Sequence, residues 1–339
     1  STLHNIANLK AQQGELEDAL TLYQQSLQIE ESINNVRGKA ATVHAIAGIK
    51  AQQGELEEAL ALYQQSLQIE ESINNVGGKA ATLHNIAQLK AQQGELEEAL
   101  ALYQQSLQIK DSINNVGGKA ATLHNIADLK AQQGELEEAL ALYQQSLQIQ
   151  ESINNVRGKA ATINNMGYLE GKRGNKSKQL ELYLEAAQIL AQIGAYINLH
   201  QVLKNLGVTD ETKGIIYLAQ ALWLCLRVQI PLTASVDTIR SMYDMIPKGD
   251  EMEALLGTTA VYLCQTRGAQ HPQLEELQEQ SFKILLAAAV AQGIETQEAF
   301  ETWYVQQQLN DPEYFIPRLV EKLEEIVGDQ WLFERQNNL

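Results

Sequence analysis

The sequence predicts an all-α protein, a solenoid of antiparallel helix pairs, and three observations carry the prediction. Residues 1–160 are four copies of one forty-residue unit, so alike that 81–109 recurs at 121–149 with one difference, Gln88 against Asp128. Self-similarity at such a period marks a stacked array in which each unit buries its apolar face on its neighbours. Leu, Ala, Gln and Glu dominate a chain with only five prolines and 6% aromatic residues, a composition that favours helix throughout. Within each unit, apolar residues recur at helical spacing in two runs separated by a glycine.

The second unit shows the two helices. KAATVHAIAGIKAQQ, opening at Lys39, places Ala40, Val43, Ile46, Ala47 and Ile49 at helical spacing and stops at Gly54, giving helix A. Helix B starts at Glu55 and runs through Leu56, Ala59, Leu60, Leu62, Tyr63, Leu67, Ile69 and Ile73 to Asn74 and Asn75. Its length of about 20 residues spans roughly 30 Å. The acidic start, Glu55, Glu57 and Glu58, suits the positive end of the helix dipole. Gly77 and Gly78 are expected to turn the chain into the next helix A.

The copies differ clearly at few places: Asn5, Ala45, Asn85, Asn125; Asn8, Gly48, Gln88, Asp128; Glu30, Glu70, Lys110, Gln150; and Arg37, Gly77, Gly117, Arg157. The last two series, late in helix B and in the connecting loop, are expected to be exposed and tolerant.

Past Tyr168 the regularity fades while helices continue. Thr162–Gly171 with Lys178–Ile193, Tyr196–Gly207 with Thr212–Val228, and Ser235–Met245 with Asp250–Gln265 read as a fifth, sixth and seventh pair, and Pro272 opens a last helical group. The expected organisation is therefore 1–160 as four near-identical units, 161–270 as divergent pairs, and 271–339 as a helical cap holding Trp303 and Trp331. The apolar stretch Ile215–Leu232 is interrupted by Gln220, Arg227 and Gln229 and reads as a buried solenoid helix, since a membrane span wants about 20 mostly apolar residues.

A formal net charge of −17 argues against nucleic acid and membrane surfaces as partners, both of which recruit clustered Lys and Arg. A basic or polar protein or peptide fits better. Cys225 and Cys264, the only cysteines, have no metal or redox spacing and suit reduced thiols in a cytoplasmic protein. The opening STLHNIANL enters a repeat with no initiator Met or signal segment, as a piece of a longer chain lacking a capping element would. No phosphate-binding loop, nucleophile elbow or zinc-protease motif occurs, and His200 and His271 have no evident partner triad, so no enzyme and no cofactor are expected. His84, His124 and Asp128 are the best metal candidates, but nothing in the repeat enforces ligand distances of about 2.0–2.2 Å, and no metal is expected.

The unit resembles the tetratricopeptide repeat, W-x2-L-G-x2-Y, then A-x3-F, then P. In the third copy Leu83 stands at the Trp position, Ile86 and Ala87 at Leu-Gly, Ala99 and Tyr103 at A-x3-F, Gly94 closes the turn and Ser106 is the small residue after the aromatic. Lys90 replaces the first Tyr and is expected to lie along the stack, while Asp111 replaces the closing Pro, lengthening helix B. Forty-residue units of this kind are similar to the arrays of kinesin light chains and of LGN-type adaptors. Met166, Gly167, Gly174 and Tyr183 keep the register over 161–207.

The resemblance implies a right-handed superhelix with helix A lining a concave groove, and a scaffold that grips an extended peptide segment there. The groove positions it implies are His4, His44, His84 and His124; Asn5, Asn85, Asn125 and Asn165; and Asn8, Gly48, Gln88, Asp128 and Tyr168. An Asn ladder offers donors and acceptors to a peptide backbone of any sequence, and Asp128 would favour a basic residue. Two other functions fit the same text: a sensor or autoinhibitory array of a larger signalling protein linked to an ATPase or protease, and a structural solenoid self-associating end to end.

Overall fold

In the computed structural model, residues 2–249, 251–269 and 271–335 are described, and they fall into two compact units meeting at Gly158 and Lys159. Seventeen helices and no strand occur among the described residues.

The first unit is built from α1 (Thr2–Gln12), α2 (Leu16–Ser32), α3 (Val36–Gln52), α4 (Leu56–Ser72), α5 (Val76–Gln92), α6 (Leu96–Ser112), α7 (Val116–Gln132) and α8 (Leu136–Ser152). Each odd-numbered helix is a helix A packed on the helix B that follows it. Close approach within a pair is allowed by alanines without exposed surface, Ala47 against Ala59 and Ala87 against Ala99. The pair is tied by Ser66 Oγ donating to the Ala40 carbonyl at 3.0 Å and Ser106 Oγ to that of Ala80 at 2.7 Å. Stacking then buries the next helix A: Ile86 and Leu89 join Ala47, Ala59 and Tyr63 in one cluster, and Ile126 and Leu129 join Ala87, Ala99 and Tyr103 in the next.

The turns correct two expectations. From A to B the chain turns on a glycine in the left-handed region, Gly54 at φ 83°. From B to A it turns instead on asparagine, Asn74 at φ 52°, and helix A begins at Val76, earlier than expected. Asn tolerates this conformation, and the following Asn75 caps the helix by accepting the Gly78 N–H at 3.2 Å, satisfying one of its unpaired first-turn donors. Gly77 and Gly78 are therefore inside the first turn, as is Arg37 in its own repeat, and none forms the loop. Lys90 also departs from expectation: its Nζ turns to Glu95 at 2.7 Å and Glu98 at 3.2 Å across the A–B turn, as Lys50 does to Glu55 and Glu58.

The two glycines have different reasons to be there. A Cβ at Gly117 would meet only the Ile153 Cδ1 at 3.7 Å, whereas one at Gly118 would lie 2.8 Å from three atoms of the capping Asn115 side chain. Gly117→Ala is expected to stabilise by about 0.5–1 kcal/mol through the unfolded chain. In Gly118→Ala the same gain is offset by loss of a cap worth about 1 kcal/mol. Thermal denaturation of the two variants side by side checks the difference; equal melting temperatures would contradict the capping role.

The second unit carries most of α9 (Val156–Lys172), then α10 (Lys176–Gln192), α11 (Tyr196–Thr209), α12 (Gly214–Arg227), α13 (Leu232–Tyr243), α14 (Glu251–Arg267), α15 (Leu274–Ala291), α16 (Gln297–Gln306) and α17 (Pro312–Val327). The expected start of α14 at Asp250 lies outside the described residues. α17 folds back onto α12 and α14. The segment after it is pinned to α12: Gln220 Oε1 accepts the Leu332 N–H at 2.9 Å, and the Trp223 ring meets Trp331 and Phe333 at 5.6 and 5.8 Å. The apolar stretch of α12 is core, with Leu218, Leu222, Leu224 and Cys225 without exposed surface. No helix among the described residues is long and apolar enough to cross a membrane.

Candidate peptide-binding face

The histidines, asparagines and variable residues singled out in the first unit do lie along helix A, but most are part of one hydrogen-bonded network at each repeat boundary. His44 Nδ1 lies 2.8 Å from Thr82 Oγ1 of the next repeat, His84 Nδ1 3.1 Å from Thr122 Oγ1, and His4 Nδ1 3.0 Å from Thr42 Oγ1. On its other side the imidazole receives an asparagine: Asn85 Nδ2 is 3.0 Å from His44 Nε2 and 3.2 Å from the Tyr63 hydroxyl, and Asn125 Nδ2 makes the same two contacts with His84 and Tyr103, each at 3.2 Å. Each imidazole also stands edge-on to the tyrosine of its own repeat, with centroids 5.0 to 5.3 Å apart.

The protons in this network can be placed by counting donors. Thr122 gives its only hydroxyl hydrogen to the Gly118 carbonyl at 2.9 Å and accepts from Lys110 Nζ at 2.8 Å. His84 Nδ1 must then be the donor to Thr122, which leaves Nε2 as an acceptor for the Asn125 amide. At the boundary of the second and third repeats Thr82 bonds the Glu70 carboxylate, an acceptor only when ionised, with the same consequence for His44 and Asn85. Burial holds both imidazoles neutral, pushed down from 6.5 to about 4 for His44 and about 4 for His84. His4 and His124 are lowered by the same desolvation.

With its N–H groups spent, each asparagine amide is fixed in orientation. The Oδ1 atoms of Asn85 and Asn125 have no hydrogen-bond partner among the described residues. Asn5 and Gln88 are exposed, and Asn8, Gly48, Asn85, Asn125 and Asp128 are half-buried. The variable position meets the tyrosine hydroxyl: Tyr23 donates to Asn8 Oδ1 at 2.5 Å and Tyr143 donates to Asp128 Oδ1, while His124 Nε2 lies 3.6 Å from Asp128 Oδ2. In the second unit Tyr168 is exposed with Lys172 over its ring at 5.3 Å, and Asn164 Nδ2 lies 3.3 Å from Asn165 Oδ1. Among the described residues no group of three or more His, Cys, Asp or Glu side chains is placed to hold a metal ion.

One expectation fails here. Glu30, Glu70, Lys110 and Gln150 are not exposed; all four are buried, at 2%, 3%, 6% and 4% exposure, because the last turn of helix B tucks against the first turn of the next helix A. The price of that burial is visible in the titration: Lys110 is pushed down from 10.5 to about 8, and Glu70 is raised. His200 and His271 each bond a threonine hydroxyl, Thr238 Oγ1 at 2.9 Å and Thr233 Oγ1 at 3.0 Å. Cys225 and Cys264 are buried free thiols, Cys225 raised to about 12 by desolvation, which suppresses nucleophilic thiolate.

Helix pairs stacked at a forty-residue period, with a row of oriented polar side chains along one helix of each pair, define a helical-repeat interaction module. The tetratricopeptide repeat profile matches residues 1–69, 38–112 and 118–192, and the chain belongs to that family. Repeats of this family commonly mediate protein–protein interaction. Among solved structures, the apo quorum sensor NprR from B. thuringiensis superposes with a TM-score of 0.60 at 13% identity, covering 91% of this chain and 86% of that one. BtubC (BKLC) from P. vanneervenii gives 0.51 at 16% identity over 68% of this chain and 92% of that one. A Signal Transduction ATPase with Numerous Domains protein with a tetratricopeptide repeat sensor, from Pyrococcus horikoshii, gives 0.54 at 15% identity over 96% of this chain and 44% of that one. These are likenesses of fold. No curated protein sequence matches the chain.

Proposed function

We propose that residues 1–160 grip an extended peptide segment of a partner protein along the helix-A face, with His4, Asn5, Asn8, His44, Gly48, His84, Asn85, Gln88, His124, Asn125 and Asp128 lining its path, and that Asn165 and Tyr168 are binding positions of the second unit. Residues 161–270 are proposed as divergent helix pairs and 271–339 as a helical cap. The observation that carries the reading is the fixed orientation of Asn85 and Asn125: both amide N–H bonds are engaged by His and Tyr, and both carbonyls are left to accept. Acceptors already locked in place cost little further ordering entropy when a peptide N–H arrives. A net charge of −17 favours a basic or polar peptide, and the setting proposed for the chain is cytoplasmic.

The test is a pull-down on the full chain with identification of the recovered peptide by mass spectrometry, followed by titration against the Asn85→Ala, Asn125→Ala double variant. Loss of two backbone-type hydrogen bonds, each worth about 1 kcal/mol, is expected to weaken binding about tenfold or more. A double variant that melts like the parent and binds the peptide unchanged would remove the reading.

A further inference from the structure

We propose that Gly48 opens a side-chain subsite in the second repeat, floored by the Tyr63 hydroxyl, that takes the neutral carboxamide of an Asn or Gln in a bound peptide. The proposal rests on the groove reading above and adds a specificity to it.

The hydrogen-bond count leads there. Asn85 donates to the Tyr63 oxygen, so the Tyr63 hydrogen must go elsewhere. In the first repeat the equivalent Tyr23 hydrogen goes to Asn8, and in the fourth the Tyr143 hydrogen goes to Asp128. The second repeat has glycine at that position, and Tyr63 finds no acceptor among the described residues although only 4% of it is exposed. A buried hydroxyl without an acceptor carries a cost that a ligand oxygen would relieve.

Space is available as well. A Cβ at Gly48 would meet one atom within 4 Å, the Tyr63 hydroxyl oxygen, at 3.5 Å. Ala45, three residues earlier on the same helix, packs against the Tyr23 cluster of the preceding boundary, which leaves Gly48 as the opening beside Tyr63. In the third repeat Tyr103 likewise receives an asparagine and has no acceptor among the described residues, but Gln88 stands there in place of glycine.

The chemistry of the occupant follows from what fills the same place elsewhere in the array. Asn8 shows that an amide oxygen fits the tyrosine hydroxyl at 2.5 Å. A carboxylate ligand would enter against a chain of net charge −17, while a neutral carboxamide meets no such opposition.

Selection of a random dodecapeptide library displayed on phage, run in parallel on the full chain and on its Gly48→Asn and Tyr63→Phe variants, decides the matter. Gly48→Asn supplies the missing acceptor from within, and Asn is no worse than Gly in a helix; Tyr63→Phe removes the donor and keeps the ring. The parent is expected to enrich peptides with Asn or Gln at one fixed position, and both variants to lose that preference while retaining the others. In the enriched peptide, Asn→Leu or Gln→Leu at that position should weaken binding to the parent about tenfold and leave binding to Gly48→Asn unchanged. Enriched peptides with no such position, or the same preference in both variants, would overturn the subsite and leave the groove reading standing. No enrichment by the parent would overturn both.

Discussion

Tyr103→Ala is expected to destabilise the first unit by about 3–5 kcal/mol, the range for truncating a buried aromatic. The ring is 2% exposed and sits where two repeats meet, against Ala87 and Ala99 of its own repeat and Ile126 and Leu129 of the next. Neighbouring side chains cannot close the void, because the alanines opposite are small and fixed by the A–B packing. Tyr103→Phe separates packing from polarity: it keeps the ring and loses only the hydroxyl that receives Asn125, for an expected cost of about 1 kcal/mol. In an array each unit depends on its nearest neighbours, so hydrogen exchange should rise in α5 to α7 and change least in α1 and α2. Urea denaturation followed by helical circular dichroism gives the total. An alanine variant within about 1 kcal/mol of the parent would show that tyrosine is not the keystone of the boundary.

The fold was legible because the two signals that specify it, the forty-residue period and the 3.6-residue apolar spacing, are local in the text. Ala47, Ile49, Ala59 and Tyr63 are all core, as their spacing implies. Helix ends were legible only where glycine marks them; the B–A turn was misread because Asn74 and Asn75 do the work usually given to glycine and a Ser or Asp cap. The candidate face was half legible. That His, Asn and the variable residue share a helix face follows from their spacing, but that they bond Thr and Tyr of adjacent helices depends on the stack. A signal was present all the same. His4 and Thr42, His44 and Thr82, His84 and Thr122 are each thirty-eight residues apart, and so are His200 and Thr238 in the irregular half. A spacing that survives where the rest of the repeat has changed points to contact between those side chains. The burial of Glu30, Glu70 and Lys110 had no such sign, since charge in a sequence reads as exposure until the partner surface is known.

Acid is expected to loosen the array well above the pH at which carboxylates protonate. His44, His84 and His200 have folded values near 4 against an ordinary 6.5, in each case chiefly through burial. As pH falls from 6.5 towards 4 the unfolded chain takes up protons that these folded imidazoles refuse, so stability falls through that window, by on the order of 3 kcal/mol for each histidine. Lys110, lowered to about 8, is charged in both states there and is silent. Glu70 acts the other way: its raised value means that protonation favours the folded state, but it is one group against three. Urea midpoints at constant ionic strength should therefore drop between pH 7 and 4.5, and the imidazole proton shifts of His44, His84 and His200 in the folded protein should stay flat down to about pH 5; titration of these three between pH 6 and 7 would contradict the account. Binding should weaken only where the folded imidazoles themselves begin to protonate, near pH 4. A proton on His44 Nε2 would face the Asn85 amide nitrogen, donor against donor, and relief requires the amide to flip, turning inward the carbonyl that is proposed to hold the peptide. A peptide recovered at pH 7.5 is thus expected to stay bound down to about pH 5 and to dissociate near pH 4, and full affinity of the still-helical protein at pH 4 would separate the histidines from the site.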